Sequence, residues 1–133
     1  MGLLDNMHAN WRVLVVDDNA LARASLAEML IRAGFDVTQE ASGEAALAAL
    51  AVGGVDAVVA DIIMPGMDGI ELIGRIRRHH PKVRVIAVSG AHTTSSIDYL
   101  TMASRLGADS VLAKPIAAAD LVEAVERLIP QAP

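Results

Sequence analysis

The sequence contains no cysteine in 133 residues. Disulfides and thiolate zinc centres are therefore excluded as staples, and a chain of this length must rely on one apolar core of its own. The lack of cysteine suits a reducing compartment. Aromatic residues are nearly missing too: one Trp, one Tyr and one Phe make up 2% of the chain, against a hydrophobic fraction of 53%. The core must be built from Val, Ile, Leu, Met and Ala, and no aromatic platform is left on which bases could stack. There is no basic excess either, since 11 Lys and Arg face 16 Asp and Glu for a formal net charge of −5. Nucleic-acid-binding domains carry the opposite balance or a basic stripe. The one basic concentration, Arg75, Arg77, Arg78, His79, His80, Lys82 and Arg84, reads as a solvated helix face and the loop after it. No apolar run approaches the roughly 18 residues that span a bilayer, and Met1 to Asn10 lacks the basic-then-apolar order of a signal peptide. The expectation is a cytoplasmic protein without direct nucleic-acid or membrane contact.

What the chain does contain is alternation. Residues 12–16, Arg-Val-Leu-Val-Val, form an apolar run that stops at Asp17-Asp18, as expected of a strand buried on both faces. Asn19 can cap a helix over 20–33, whose Ala22, Leu26 and Leu30 repeat with helical spacing and which Gly34 stops. Further strands are expected over 35–40, 55–60, 83–88 and 110–113. Helices are expected after Ser42, over 70–79, within 96–106 on Ile97, Leu100 and Ser104, and over 119–129 on Leu121, Val122, Val125 and Leu128. Five strand-helix pairs in strict order imply an α/β fold, a doubly wound parallel five-stranded sheet with right-handed crossovers. Residues 11–130 are expected to form the domain, with tails at 1–10 and 131–133.

In such a sheet, ligands collect at the carboxyl ends of the strands. Those ends here carry Asp17 and Asp18, then Asp61, then Ser89, then Lys114. Each alone is ordinary: an Asp after a strand is usually a cap or turn former, a lone Ser a turn residue, a lone Lys a solvated side chain. Polar groups at four of five strand ends are not ordinary. Like charges about 4 Å apart repel by about 4 kcal/mol at an effective dielectric near 20, so three clustered carboxylates make sense around a hard divalent cation. Oxygen donors suit Mg²⁺ better than zinc. A serine hydroxyl and a lysine ammonium suit phosphoryl oxygens. A carboxylate, a metal and a lysine are the parts that phosphoryl transfer needs.

The strand end Val-Leu-Val-Val-Asp17-Asp18-Asn19, the segment from Asp61 through Met64-Pro65-Gly66-Met67-Asp68-Gly69, the pair Ser89-Gly90, and Gly107-Ala108-Asp109 followed by Lys114-Pro115 resemble the response-regulator receiver family, CheY-like domains of two-component signalling. The likeness covers residues 12–129. It implies the flavodoxin-like (βα)5 fold with strand order 2-1-3-4-5. It implies Asp61 as the phosphoacceptor and Mg²⁺ as cofactor, held by Asp18 directly, by Asp17 through water, by Asp61 and by the backbone carbonyl of Ile63. Ser89 and Lys114 match the groups that contact the phosphoryl group, and the Lys114–Pro115 bond matches a position that is usually cis. The implied partners are a sensor histidine kinase or histidine phosphotransfer protein, and a downstream protein target.

Two departures bear on output. Val111 stands where the family usually has an aromatic residue, and Ile116 where it often has Phe; Val111 is short and stiff at χ1. The stretch between Ser89 and Gly107 is about three residues longer than in the chemotaxis regulator. Output is thus expected to run through residues 90–99, with Val111 and Tyr99 as candidate positions. A turnover enzyme is the rival class: phosphatases of the haloacid-dehalogenase type also use Asp, Mg²⁺ and Lys on a parallel sheet. They place the nucleophile on the first strand as Asp-x-Asp, a spacing that Asp17-Asp18-Asn19 lacks. A switch that catalyses only its own phosphorylation and dephosphorylation is the expectation. A receiver that has lost its chemistry is the third reading, disfavoured because every chemical residue is present.

Overall fold

A computed structural model describes residues 11–90 and 101–130. Its sheet has five parallel strands: β1 (Arg12–Val16), β2 (Asp36–Glu40), β3 (Ala57–Asp61), β4 (Arg84–Gly90) and β5 (Ser110–Lys114). They lie in the order β2-β1-β3-β4-β5, as the family resemblance implies. The helices between them are α1 (Ala20–Arg32), α2 (Gly43–Val52), α3 (Gly69–His79), α4, described over residues 101–106, and α5 (Ala118–Glu126). The expected tails at 1–10 and 131–133 lie outside the described residues.

Alternation along the strands divides the core into two layers. Val13 and Val15 face one side with Leu26 and Leu30 of α1 and Leu121 and Val125 of α5. Leu14 and Val16 face the other with Leu50 of α2, Leu72, Ile73 and Ile76 of α3, and Ala103 of α4. Both faces are therefore covered, the physical reason that β1 and β3 read as unbroken apolar runs. Trp11 is half-buried and packs on the first layer.

Local signals set the helix ends. Asn19, Ser42 and Asp68 each accept a hydrogen bond from a backbone N–H in the first turn, those of Ala22, Ala45 and Glu71. Gly34 takes φ +99° after α1, with its N–H bonded to Ile31 and that of Phe35 to Leu30, a left-handed stop that a side chain disfavours. Some expectations need correcting. Among the described residues of α4, Ala103 is the buried one and Ser104 is exposed; Ile97 and Leu100 lie outside the described residues. The last helix closes at Glu126, although Ile129 beyond it is still buried. Arg77 is not part of a solvated face. Its Nε donates to the Gly107 carbonyl at 2.7 Å, Nη1 to Val83 at 2.6 Å, and Nη2 to Asp109 at 2.7 Å. This one guanidinium ties α3 to the start of β4 and the entrance of β5.

Candidate functional site

The strand register brings the predicted residues to one edge of the sheet. β3 ends at Asp61 and β5 at Lys114, while Asp17 follows β1. On β4, Val88 pairs with Asp61, so Ser89 stands one residue beyond it, and Gly90 pairs with Lys114. Carboxylate oxygens of Asp17, Asp18 and Asp61 lie within 4.8 Å of one another. Asp61 lies 44 positions after Asp17 in the sequence, so it is the parallel register of β1 and β3 that brings it to the Asp17-Asp18 pair.

The three carboxylates are held differently. Asp17 is fully buried. Its Oδ1 accepts from the backbone N–H of Asn19 at 2.9 Å, and its Oδ2 from Lys114 Nζ at 3.2 Å. Asp61, 8% exposed, accepts at Oδ1 from the Ile63 N–H at 2.9 Å and at Oδ2 from Lys114 Nζ at 3.4 Å. Asp18 is exposed, and among the described residues its side chain has no partner. Three carboxylates and one ammonium leave the site at a formal −2.

Burial pushes the Asp61 carboxyl above its usual range, and Asp17 adds to the push; the Ile63 N–H and Lys114 act against it. Burial alone would lower the Lys114 ammonium, but Asp61 and Asp17 outweigh it and raise it. Lys114 is thus a firmly charged bridge over two buried acids. The Ser89 hydroxyl oxygen is buried and has no hydrogen-bond partner among the described residues, an uncommon state for a buried polar atom. Ile63 is half exposed, and no hydrogen bond is made to its carbonyl among the described residues. The Lys114–Pro115 peptide is cis.

The donor set fits a hard divalent cation: oxygen ligands only, one unpartnered carboxylate, and a net charge equal and opposite to that of Mg²⁺. Val111 is half-buried and packs on the second core layer. Tyr99 and the rest of residues 91–100, expected to carry output, lie outside the described residues.

Two features escaped the sequence reading. Arg23, on the first turn of α1, donates from Nη1 to the backbone carbonyl of Asp17 at 2.8 Å. Gly69 approaches so closely that a Cβ there would stand 2.5 Å from the Asp61 carbonyl oxygen and 2.5 Å from the Ile62 Cα. An Arg six residues after an Asp pair, or a Gly at a helix start, carries no signal by itself.

Comparison with known proteins agrees with this geometry. The family model for the response regulator receiver domain matches residues 13–126. The chain belongs to that family, the receiver modules of two-component phosphorelay signalling. It is 40% identical over 117 residues to the DNA-binding transcriptional regulator NtrC of Salmonella typhimurium, covering 88% of this chain and 24% of that protein. It is 37% identical over 118 residues to the transcriptional regulatory protein PrrA of Mycobacterium bovis, covering 89% of this chain and 49% of that protein. The chain thus spans between a quarter and a half of these relatives. Among solved structures, the receiver domain of NtrX from Brucella abortus superimposes with a TM-score of 0.82 at 31% identity, covering 88% of this chain and 97% of that one. A CheY-like receiver from Methanospirillum hungatei gives 0.80 at 28% identity, covering 89% and 93%.

Proposed function

We propose that this receiver takes a phosphoryl group onto Asp61 in a Mg²⁺-dependent reaction and changes its protein contacts in response. The donor is a phosphohistidine on a sensor histidine kinase or histidine phosphotransfer protein. The observation that carries the reading is the placement of Lys114 Nζ within 3.2 Å of Asp17 and 3.4 Å of Asp61, beside a third carboxylate that has no partner among the described residues.

Asp61 supplies the attacking oxygen. The new P–O bond forms as the P–N bond of the phosphohistidine breaks, and the electron pair leaves on the imidazole nitrogen, which takes up a proton. The Ile63 N–H holds Asp61 Oδ1 in place. Asp17, Asp18, Asp61 and the Ile63 carbonyl would hold Mg²⁺, which supplies charge neutralisation for the phosphoryl oxygens. Lys114 can exchange a carboxylate for a phosphoryl oxygen, and the Ser89 hydroxyl, without a partner among the described residues, has a hydrogen bond to give. Such a protein turns over its own phosphoryl group and is not a conventional turnover enzyme.

The relatives include regulators named as DNA-binding, of which this chain matches only part. The reading here is that this segment contacts proteins, and that it works in the cytoplasm. No described helix is long and apolar enough to cross a membrane.

Incubation with acetyl phosphate and Mg²⁺ tests the proposal. Intact mass should rise by one phosphoryl group in the wild type, and Asp61→Asn should lose most of that labelling. Efficient labelling of Asp61→Asn would overturn the assignment. Steady hydrolysis of a free phosphomonoester by the wild type would favour the phosphatase class instead.

A further inference from the structure

The residue that carries Asp18 into the cluster is held from an unexpected direction. Asp17 has every acceptor engaged: Oδ1 by the Asn19 N–H, Oδ2 by Lys114, and its backbone oxygen by Arg23 Nη1 at 2.8 Å. Its own N–H donates to the Glu40 carbonyl at the end of β2. The backbone oxygen matters most here, because it belongs to the peptide that joins Asp17 to Asp18. That peptide is planar. Fixing its oxygen therefore fixes the direction in which Asp18 leaves the strand. Asp18 has no side-chain partner of its own among the described residues, so its placement within 4.8 Å of the other two carboxylates rests on the backbone alone.

Arg23 is suited to this task. Its backbone N–H makes the first bond of α1 to the Asn19 carbonyl at 2.9 Å, and its side chain is half-buried, so the guanidinium is mounted on a rigid helix. We infer that Arg23 is a positioning residue for Mg²⁺ binding: by hydrogen bonding the Asp17 carbonyl, it sets the Asp17–Asp18 peptide so that Asp18 meets the demands of a small octahedral ion. The inference rests on the proposed Mg²⁺ site.

Charge and position predict opposite effects, which makes the idea testable. Arg23 is a cation next to an anionic cluster, so removing its charge should by itself tighten cation binding. Removing a support should loosen it, by about tenfold at the lower end of the range for groups that orient metal ligands. Mg²⁺ needs near-ideal geometry, whereas Ca²⁺ tolerates a loose site. Loss of positioning must therefore weaken Mg²⁺ more than Ca²⁺.

The experiment is calorimetric titration of the full chain with Mg²⁺ and with Ca²⁺, for wild type, Arg23→Met and Arg23→Lys. Urea unfolding in EDTA reports the fold of each variant. The expected result is an Mg²⁺ Kd raised about tenfold in Arg23→Met, a Ca²⁺ Kd changed far less, and recovery of most Mg²⁺ affinity in Arg23→Lys, which keeps a donor and its charge. Unchanged or tighter Mg²⁺ binding in Arg23→Met would overturn the inference while leaving the metal site intact. Equal weakening of both ions would also overturn it. If Arg23→Met does not fold, Arg23→Gln takes its place: its side chain is too short to keep the bond to the Asp17 carbonyl, so Mg²⁺ binding should weaken more than Ca²⁺ binding, and an unchanged Mg²⁺ Kd in that folded variant overturns the inference. Absence of Mg²⁺ binding in the wild type would instead refute the proposed site, and this inference with it.

Discussion

Replacing Lys114 by Met removes a cation from between two buried acids and leaves a side chain of similar length. At an effective dielectric near 20, its attractions across 3.2 Å to Asp17 and 3.4 Å to Asp61 are about 5 kcal/mol each. The repulsion left between carboxylate oxygens up to 4.8 Å apart is about 3.5 kcal/mol. Those gross terms exceed the net effect, because the lysine side chain is 26% exposed and recovers hydration when freed. Breaking a buried ion pair costs about 3–5 kcal/mol, and partial exposure here lowers the expectation to about 2–3 kcal/mol in the absence of metal. Divalent cation then acts in the opposite direction. The variant cluster carries a formal −3 in place of −2 and should bind Mg²⁺ more tightly. A tenfold gain in affinity adds about 1.4 kcal/mol of stabilisation at saturating metal. Urea unfolding at neutral pH, followed by fluorescence of the single Trp11, gives both numbers when run in EDTA and in excess MgCl₂. The gap between wild type and variant should narrow by about 1 kcal/mol with Mg²⁺. A gap that is absent in EDTA, or that widens with Mg²⁺, would refute the electrostatic account of Lys114.

Three other outcomes follow from the same structure. Burial raises the Asp61 carboxyl, so the stability tied to its protonated form is present below the ordinary carboxylate pKa of about 3.9 and is lost as pH rises through the folded value. In EDTA, Asp61→Asn should therefore be at least as stable as wild type near neutrality, with the difference closing toward pH 4 or so; denaturation midpoints across that window check it. Arg77→Ala strips hydrogen bonds from the Gly107 and Val83 carbonyls and from Asp109. It should cost about 2–4 kcal/mol in chemical denaturation, with Arg77→Lys recovering little because an ammonium lacks the planar fork. Gly69→Ala would force a Cβ to 2.5 Å from the backbone at Asp61 and Ile62. It should lower stability by about 1–3 kcal/mol and slow labelling of Asp61 by acetyl phosphate; full stability with normal labelling would show that the loop yields easily.

The order of elements was legible in the sequence because each signal is local. Apolar runs bounded by polar residues mark strands buried on both faces, Asn19 and Ser42 announce helix starts, and Gly34 announces a stop. The meeting of the candidate residues was legible as well, since polar groups at four strand ends converge once the sheet is parallel. What the sequence determined by itself was thus the alternation, the class of fold and the placement of the candidates Asp17, Asp18, Asp61, Ser89 and Lys114 at strand ends. Tertiary structure decided how those groups are balanced. Whether Lys114 reaches both Asp17 and Asp61, and whether the Ser89 hydroxyl finds a partner among the described residues, depends on the register of β1, β3, β4 and β5. Arg23 and Arg77 look alike in sequence, each a basic residue on an amphipathic helix. Only the packed structure shows that each guanidinium turns inward to a backbone carbonyl, because a hydrogen bond to the main chain depends on where the chain goes and leaves no pattern in the residues it joins.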